Sequence, residues 1–237
     1  MLRQPLINIE KVSKSFGKKK VLDNLTISIN EGEILGLLGR SGCGKSTLIK
    51  ILVGYHKADS GRIIFNGKEV SGNFNEVKKL VGYTTQENSF YEKLTIQENM
   101  NYYAQLYSVD KKHIQARINK LLKDVKLDSH KDTLAGDISG GMKRRLDFAI
   151  SLLHEPKLVI LDEPTTGLDP ILVDNFWGII RATAKEQKIT VLISSHMLTE
   201  IEQNCDRAAI IADGKIRTII DIKKGIDLET QFRKSVK

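Results

Sequence analysis

The 237-residue sequence predicts an α/β fold, a parallel sheet preceded by antiparallel strands and interrupted by a helical subdomain. Three observations predict it. Ile34–Leu38 is apolar nearly throughout, as a strand buried on both faces must be, and Gly-rich residues follow it at once. Leu158–Leu161 repeats that apolar character and ends on Asp162 and Glu163. In the stretch between these two strands the apolar residues recur at helical spacing.

Taken in order, Leu6, Ile9 and Val12, then Leu25, Ile27 and Ile29, alternate with polar residues, which predicts half-buried antiparallel strands joined by a turn at Gly17–Lys20. After the buried strand and the Gly-rich loop, Leu48, Ile51 and Leu52 have helical spacing. Thr95-Ile96-Gln97-Glu98 reads as a capping box that opens a helix with Ile96, Met100, Tyr103 and Tyr107 on its apolar face. A second helix is expected from Asp110, with Ile114, Ile118, Leu121, Leu122 and Val125 on one side. A third follows Gly141, with Met142, Leu146, Ala149, Ile150 and Leu153 inward. Strands return at Leu158–Asp162, Thr190–Ser194 and Ala208–Ala212, with helices between them. No repeat or linker divides the chain. Residues 1–237 therefore read as a single domain with a helical subdomain over about 89–155 and a short basic tail over about 214–237.

Gly39-Arg40-Ser41-Gly42-Cys43-Gly44-Lys45-Ser46 fits the phosphate-loop pattern G-x-x-x-x-G-K-[ST] without deviation, between a buried strand and a helix. Its glycines let successive backbone N–H groups turn into one concavity, which with the helix N-terminus holds polyphosphate. The nucleotide-binding residues are thus Gly39 through Thr47. Lys45 reaches the β/γ oxygens, and the Ser46 hydroxyl binds Mg²⁺. Asp162 and Glu163 arrive at the carboxyl end of an apolar strand, where two acids would be costly as mere structure. In this setting Asp162 orients Mg²⁺ through water, and Glu163 is placed to accept a proton from an attacking water.

Ile138-Ser139-Gly140-Gly141-Met142 resembles the LSGGQ signature of the ATP-binding-cassette (ABC) ATPases, with Ile138 for the leading Leu and Met142 for the final Gln. The resemblance covers nearly the whole chain and implies a P-loop NTPase core of RecA-like type with an N-terminal antiparallel β subdomain and an inserted α-helical subdomain. It implies that Phe16 stacks on adenine, that Gln86 binds Mg²⁺ and senses the γ-phosphate, and that His196 contacts the γ-phosphate. In the same way Gly167-Leu168-Asp169 resembles the D-loop, which puts Asp169 at a dimer interface. Ser139, Gly140 and Gly141 would then close over the ATP held by a second ABC ATPase subunit, identical or homologous. A Ser and two Gly at a helix start are in any case a second anion-binding terminus, more than one nucleotide needs from one chain.

The longest apolar runs, such as Leu158–Leu161 and Ala208–Ala212, stop far short of the ~18 residues of a membrane-spanning helix. The first residues lack the apolar core of a secretory signal, so a cytosolic compartment is expected. Two cysteines make a disulfide framework unnecessary. Cys43 stands where the resembling family has a small residue; no chemical role is assigned to it, although a helix N-terminus lowers a thiol's pKa. The net charge of +8 is concentrated at the ends, with +5 over residues 1–20 and +4 over 214–237. Such ends read as solvated lysines or as a contact with acidic lipid headgroups, and no nucleic-acid partner is expected.

The resemblance implies ATP and Mg²⁺ as cofactors and transmembrane permease subunits as partners, on the cytoplasmic face of the cell membrane. Gly140–Arg145 and the short chain are most like the type-2, drug- and polymer-exporting branch, where the ATPase powers solute export. An importer ATPase is the near alternative, and a soluble ABC ATPase serving protein assembly the distant one. The segment Glu87–Leu94, with Phe90 and Tyr91, is where the family docks its membrane partner, and an apolar, aromatic surface patch suits such docking; the alternative is that Phe90 and Tyr91 pack into the helical subdomain.

Overall fold

The computed structural model describes residues 4–70, 75–223 and 226–236, the side chains of 75 and 76 excepted. Strands β1 (Pro5–Phe16) and β2 (Lys19–Asn30) form the expected antiparallel hairpin, with a turn shorter than the sequence suggests because Phe16 already pairs with Lys19. Next come β3 (Ile34–Leu38), α1 (Lys45–Leu52), β4 (Ser60–Phe65), β5 (Lys68–Glu69), α2 (Asn75–Lys78) and β6 (Val81–Thr84). The helical stretch holds α3 (Ile96–Leu106), α4 (Ile114–Asp124) and α5 (Gly140–Ser151). The chain then runs through β7 (Leu158–Asp162), α6 (Pro170–Gln187), β8 (Thr190–Ser195), α7 (Leu198–Asn204), β9 (Arg207–Ala212), β10 (Lys215–Asp221) and α8 (Leu228–Ser235).

Two sheets result. The antiparallel one has the order β2-β1-β4-β5, and the six-stranded one the order β10-β9-β3-β8-β7-β6, parallel except for β10. Strand alternation splits the core between two layers. Leu38, Val159, Leu161 and Ile193 face a cluster with Met100, Leu121, Leu146 and Trp177, whereas Leu35, Leu37, Ile160 and Leu192 face Leu48, Ile51, Ile7 and Leu25. This two-sided burial is the reason Ile34–Leu38 and Leu158–Leu161 carry no polar side chain. The sheet's start is tied by Glu33, 1% exposed, which takes Arg207 Nη1 on both oxygens at 3.0 and 3.1 Å and also the Asn30 N–H at 2.7 Å. A buried acid so completely partnered is tolerated.

The capping box of α3 is present as read, Thr95 accepting from the Glu98 N–H and Glu98 from the Thr95 N–H, a cap of the kind that contributes about 1 kcal/mol. Regular helix in α4 starts at Ile114 and not at Asp110, because the Asp110 carboxylate accepts the Lys112 N–H at 3.0 Å and holds a turn there. Helix α5 ends at Ser151, so Leu153 is buried from the loop beyond it. The basic tail is ordered over its described residues: β10 pairs with β9, and α8 buries Leu228 in the core.

Candidate active site

β3 delivers the chain to the carboxyl edge of the parallel sheet, and residues 39–44 turn it into α1. Gly39 has no room for a side chain, since a Cβ there would lie 2.5 Å from Cys43 Sγ and 2.6 Å from the Ile211 carbonyl oxygen. Gly44, at the N-cap of α1, has φ 114°, a conformation that side chains resist. The loop can therefore lie close against the sheet while the first N–H groups of α1 stay free of a side-chain cap. Lys45 opens the helix with its side chain 6% exposed; its Nζ donates to the Gly39 carbonyl at 2.8 Å and lies 3.9 Å from Glu163 Oε1. Arg40, Ser41, Gly42 and Ser46 are exposed, and Cys43 and Thr47 half-buried. Burial pushes the Cys43 thiol up, and the neighbouring Lys45 charge opposes this only in part. The lowered thiol pKa expected from the helix terminus is thus corrected, because packing against Gly39 and the sheet removes the sulfur from water.

Across the sheet, β7 ends in Asp162, which is buried and pairs in register with Ser194 of β8. Ser194 holds both acids: its hydroxyl donates to Asp162 Oδ1 at 2.6 Å and accepts the Glu163 N–H at 2.9 Å. Glu163 itself has φ 49°, left-handed backbone that is uncommon outside glycine. From there its carboxylate stands 3.9 Å from Lys45 Nζ and 3.5 Å from Nδ1 of His196, the half-exposed residue just past β8. Tyr83 of β6 faces the same centre, its phenol pushed up to about 12 by burial and by the Asp162 charge.

Lys45, Asp162, Glu163 and His196 are therefore gathered at the carboxyl ends of β3, β7 and β8. Gln86 lies exposed just past β6. Phe16 ends β1 with its ring 45% exposed, the Lys14 ammonium 5.5 Å from its centroid and the His56 ring 5.2 Å away edge-on. Ser139, Gly140, Gly141 and Asp169 form a separate set. Ser139 caps α5 by accepting the Met142 N–H at 3.3 Å, and Asp169 caps α6 by accepting the Leu172 N–H at 3.0 Å. Ser139, Gly140 and Asp169 are exposed, Gly141 packs on Leu172, and among the described residues no hydrogen bond or ion pair joins this set to the phosphate loop. The docking segment divides: Phe90 is buried in the core with α3 and α5, contrary to its reading as surface, while Tyr91 is half exposed with the Tyr102 ring 5.1 Å away.

Ser194 was not singled out by sequence reasoning. The only signal was a hydroxyl pair, Ser194-Ser195, closing an apolar strand, and its meaning depends on the β7–β8 register.

A strand, a glycine cradle, a buried lysine and two acids at the end of a strand one removed in the same sheet define a P-loop nucleoside triphosphatase. Comparison with known proteins narrows this. The ABC transporter family matches residues 22–166. The bacitracin transport ATP-binding protein BcrA of Bacillus licheniformis is 41% identical over 211 residues, 89% of this chain and 68% of that protein. The Nod factor export ATP-binding protein I of Rhizobium sp. (strain N33) is 35% identical over 209 residues, 88% of this chain and 68% of that one. Among solved structures, cbiO1 from Clostridium perfringens, part of the ABC transporter complex cbiONQ, superposes with a TM-score of 0.88 at 26% identity, covering 98% of this chain and 92% of that chain.

The chain belongs to the ABC transporter family and is an ATPase of that family, its hydrolysis coupled to transport. ATPases of this kind work with transmembrane permease components, and no helix among the described residues is long and apolar enough to cross a membrane.

Proposed function

We propose that this ATPase powers solute export through separate transmembrane permease subunits, held by them at the cytoplasmic face of the cell membrane. The Rhizobium relative, named for Nod factor export, supports the direction. The observation that carries the catalytic reading is the convergence of Lys45 and His196 on the two oxygens of Glu163.

Mg-ATP is the substrate. The donor set fits a Mg²⁺ that comes with its nucleotide: a hydroxyl at Ser46, one buried acid at Asp162 and an amide at Gln86. Among the described residues no cluster of three acidic, His or Cys ligands would bind a metal alone. Mg²⁺ retains waters and phosphate oxygens where proteins offer few ligands, and it neutralises charge on the β and γ oxygens. Residues Gly39–Thr47 cradle the phosphates, with Lys45 turning from the Gly39 carbonyl to the β/γ oxygens. Phe16 stacks on the adenine. Glu163, fixed through its N–H by Ser194, takes the proton of the attacking water, and His196 contacts the γ-phosphate from the adjacent strand end.

Two such subunits, identical or homologous, close head to tail. The exposed Ser139-Gly140 turn, with Gly141 behind it, lids the nucleotide held by the other subunit, and Asp169 lies at that interface. Glu163→Gln tests the reading: it should retain Mg-ATP binding, accumulate dimers and lose turnover. Near-normal hydrolysis by that variant would reject Glu163 as the base.

A further inference from the structure

Ser194 fixes Glu163 from the sheet side. On the far side the chain enters a turn, and a single carboxylate oxygen anchors it there. Glu200 Oε2 accepts the Thr165 hydroxyl at 2.8 Å and the Trp177 indole N–H at 3.0 Å. The three side chains come from three places: the turn after β7, the middle of α6, and α7, the helix that follows His196. Thr165 and Trp177 are 6% and 1% exposed, so both donors are withdrawn from water and depend on this acceptor.

Helix α7 has little freedom to drift. Ile201, beside Glu200, is fully buried against Gly36 of β3, where even a Cβ would come within 2.5 Å of it. Asn204 closes the helix by donating to the Glu200 carbonyl at 2.8 Å. Glu200 thus joins that helix to the turn that carries Glu163, by the side-chain bond from Thr165. His196 leads into that helix and Glu163 leads into that turn, and the two face each other at 3.5 Å.

We propose that Glu200 is a positioning residue that locks the turn after Glu163 to the helix after His196 and so holds these two side chains at working distance. The proposal rests on the reading of Glu163 and His196 as the hydrolytic pair. Both partners of Glu200 are neutral donors, and among the described residues it makes no ion pair, so the junction requires an acceptor oxygen at this place and not a negative charge. Gln should therefore substitute for Glu, and Ala should not.

The chain contains one tryptophan, so indole emission comes from Trp177 alone. The experiment compares Mg-ATP turnover, thermal melting and Trp177 emission for the full chain and for Glu200→Ala, Glu200→Gln and Thr165→Val. Glu200→Ala is expected to lose about tenfold or more in kcat, within the range of misplaced catalytic groups, with KM within about twofold and with a shifted emission maximum. Glu200→Gln should restore kcat to within about threefold. Thr165→Val should lower kcat at unchanged KM while leaving the emission in place, because the indole keeps its acceptor. Wild-type kcat in folded Glu200→Ala, or a Gln variant as impaired as the Ala variant, would overturn the proposal. If Glu200→Ala does not fold, Thr165→Val decides, and wild-type turnover there overturns it equally. Glu163→Gln run in parallel separates the two levels: if that variant still hydrolyses ATP, the reading of the pair has failed and not merely the role of Glu200.

Discussion

Glu163 Oε2 lies 3.5 Å from His196 Nδ1 while Oε1 of the same carboxylate lies 3.9 Å from Lys45 Nζ, so one acid side chain spans the lysine of the cradle and the histidine past β8. In the proposed mechanism the two neighbours serve different steps, so their removal should separate binding from turnover. His196→Ala leaves the loop and its lysine intact, so nucleotide affinity is expected within about threefold of wild type and kcat down by about 100-fold or more. Lys45→Ala should weaken binding itself. Equilibrium nucleotide titrations beside steady-state hydrolysis check the contrast, and a His196→Ala protein that turns over normally removes His196 from the mechanism.

Two glycines divide stability from assembly in the same way. Gly39→Ala drives a Cβ to 2.6 Å from the Ile211 carbonyl oxygen, a backbone atom that cannot swing aside. The expected cost is about 1–3 kcal/mol of stability, accompanied by loss of nucleotide binding because the loop is what must move. At Gly140 an added Cβ meets nothing within 4 Å, and the position is helical. Gly140→Ala should therefore melt no lower than wild type, by helix propensity even slightly higher. If the turn lids a second subunit's ATP, hydrolysis nevertheless falls. Thermal melts with turnover measured on the same preparations test both, and unaltered hydrolysis in Gly140→Ala speaks against the lid.

Where strong local chemistry coincided with periodicity, the sequence was a sufficient guide. The phosphate loop, the acids after Leu161, the Thr95–Glu98 box and the doubly buried strands are each specified within a few residues, by sterics or by a cap. Strand β10 was not legible because its exposed and half-exposed residues alternate without a fully buried face. Strand β4 likewise carries only Ile63 and Phe65 as buried markers. Phe90 was misread because an aromatic in a polar run looks like surface until the helices of the insertion pack around it. Ser194 and Glu200 act through long-range pairings, and nothing local distinguishes them from any serine or glutamate.

Cys43 makes a chemical prediction that follows from burial. With its thiol pushed above the ordinary range, it carries little thiolate near neutral pH, so alkylation should be slower than for a free cysteine and should accelerate as pH rises. Cys205 is buried with its thiol raised further still, which leaves Cys43 as the residue that reacts in the folded chain. A bulky adduct inside the phosphate loop should abolish ATP binding, and bound ATP should protect the thiol. Mass spectrometry of the labelled chain with nucleotide titration checks this, and full affinity after complete modification of Cys43 refutes it.

Asp147 gives a pH dependence whose sign can be worked out. This α5 residue is 2% exposed; its Oδ1 accepts the Ser89 N–H at 3.0 Å and the Ser89 hydroxyl at 2.7 Å, while Oδ2 is buried without a partner. Burial raises its carboxyl above the usual value, against the lowering effect of the Ser89 bonds and of the Arg144 charge, and the nearby Tyr103 phenol is raised in turn by burial first and by Asp147 among lesser charges. An acid whose folded pKa exceeds its unfolded one keeps its proton longer in the folded state. Its contribution is therefore most favourable below the ordinary carboxyl pKa of about 4 and declines as pH rises through the raised folded value. Asp147→Asn keeps an oxygen for Ser89 and cannot ionise, so this decline should vanish. Melting temperatures of wild type and variant, followed from about pH 4 to about pH 8, should shift relative to each other in favour of wild type as the solution is acidified. A constant difference across that range would mean that Asp147 titrates alike in the folded and unfolded chain, and that its buried carboxylate carries no net penalty.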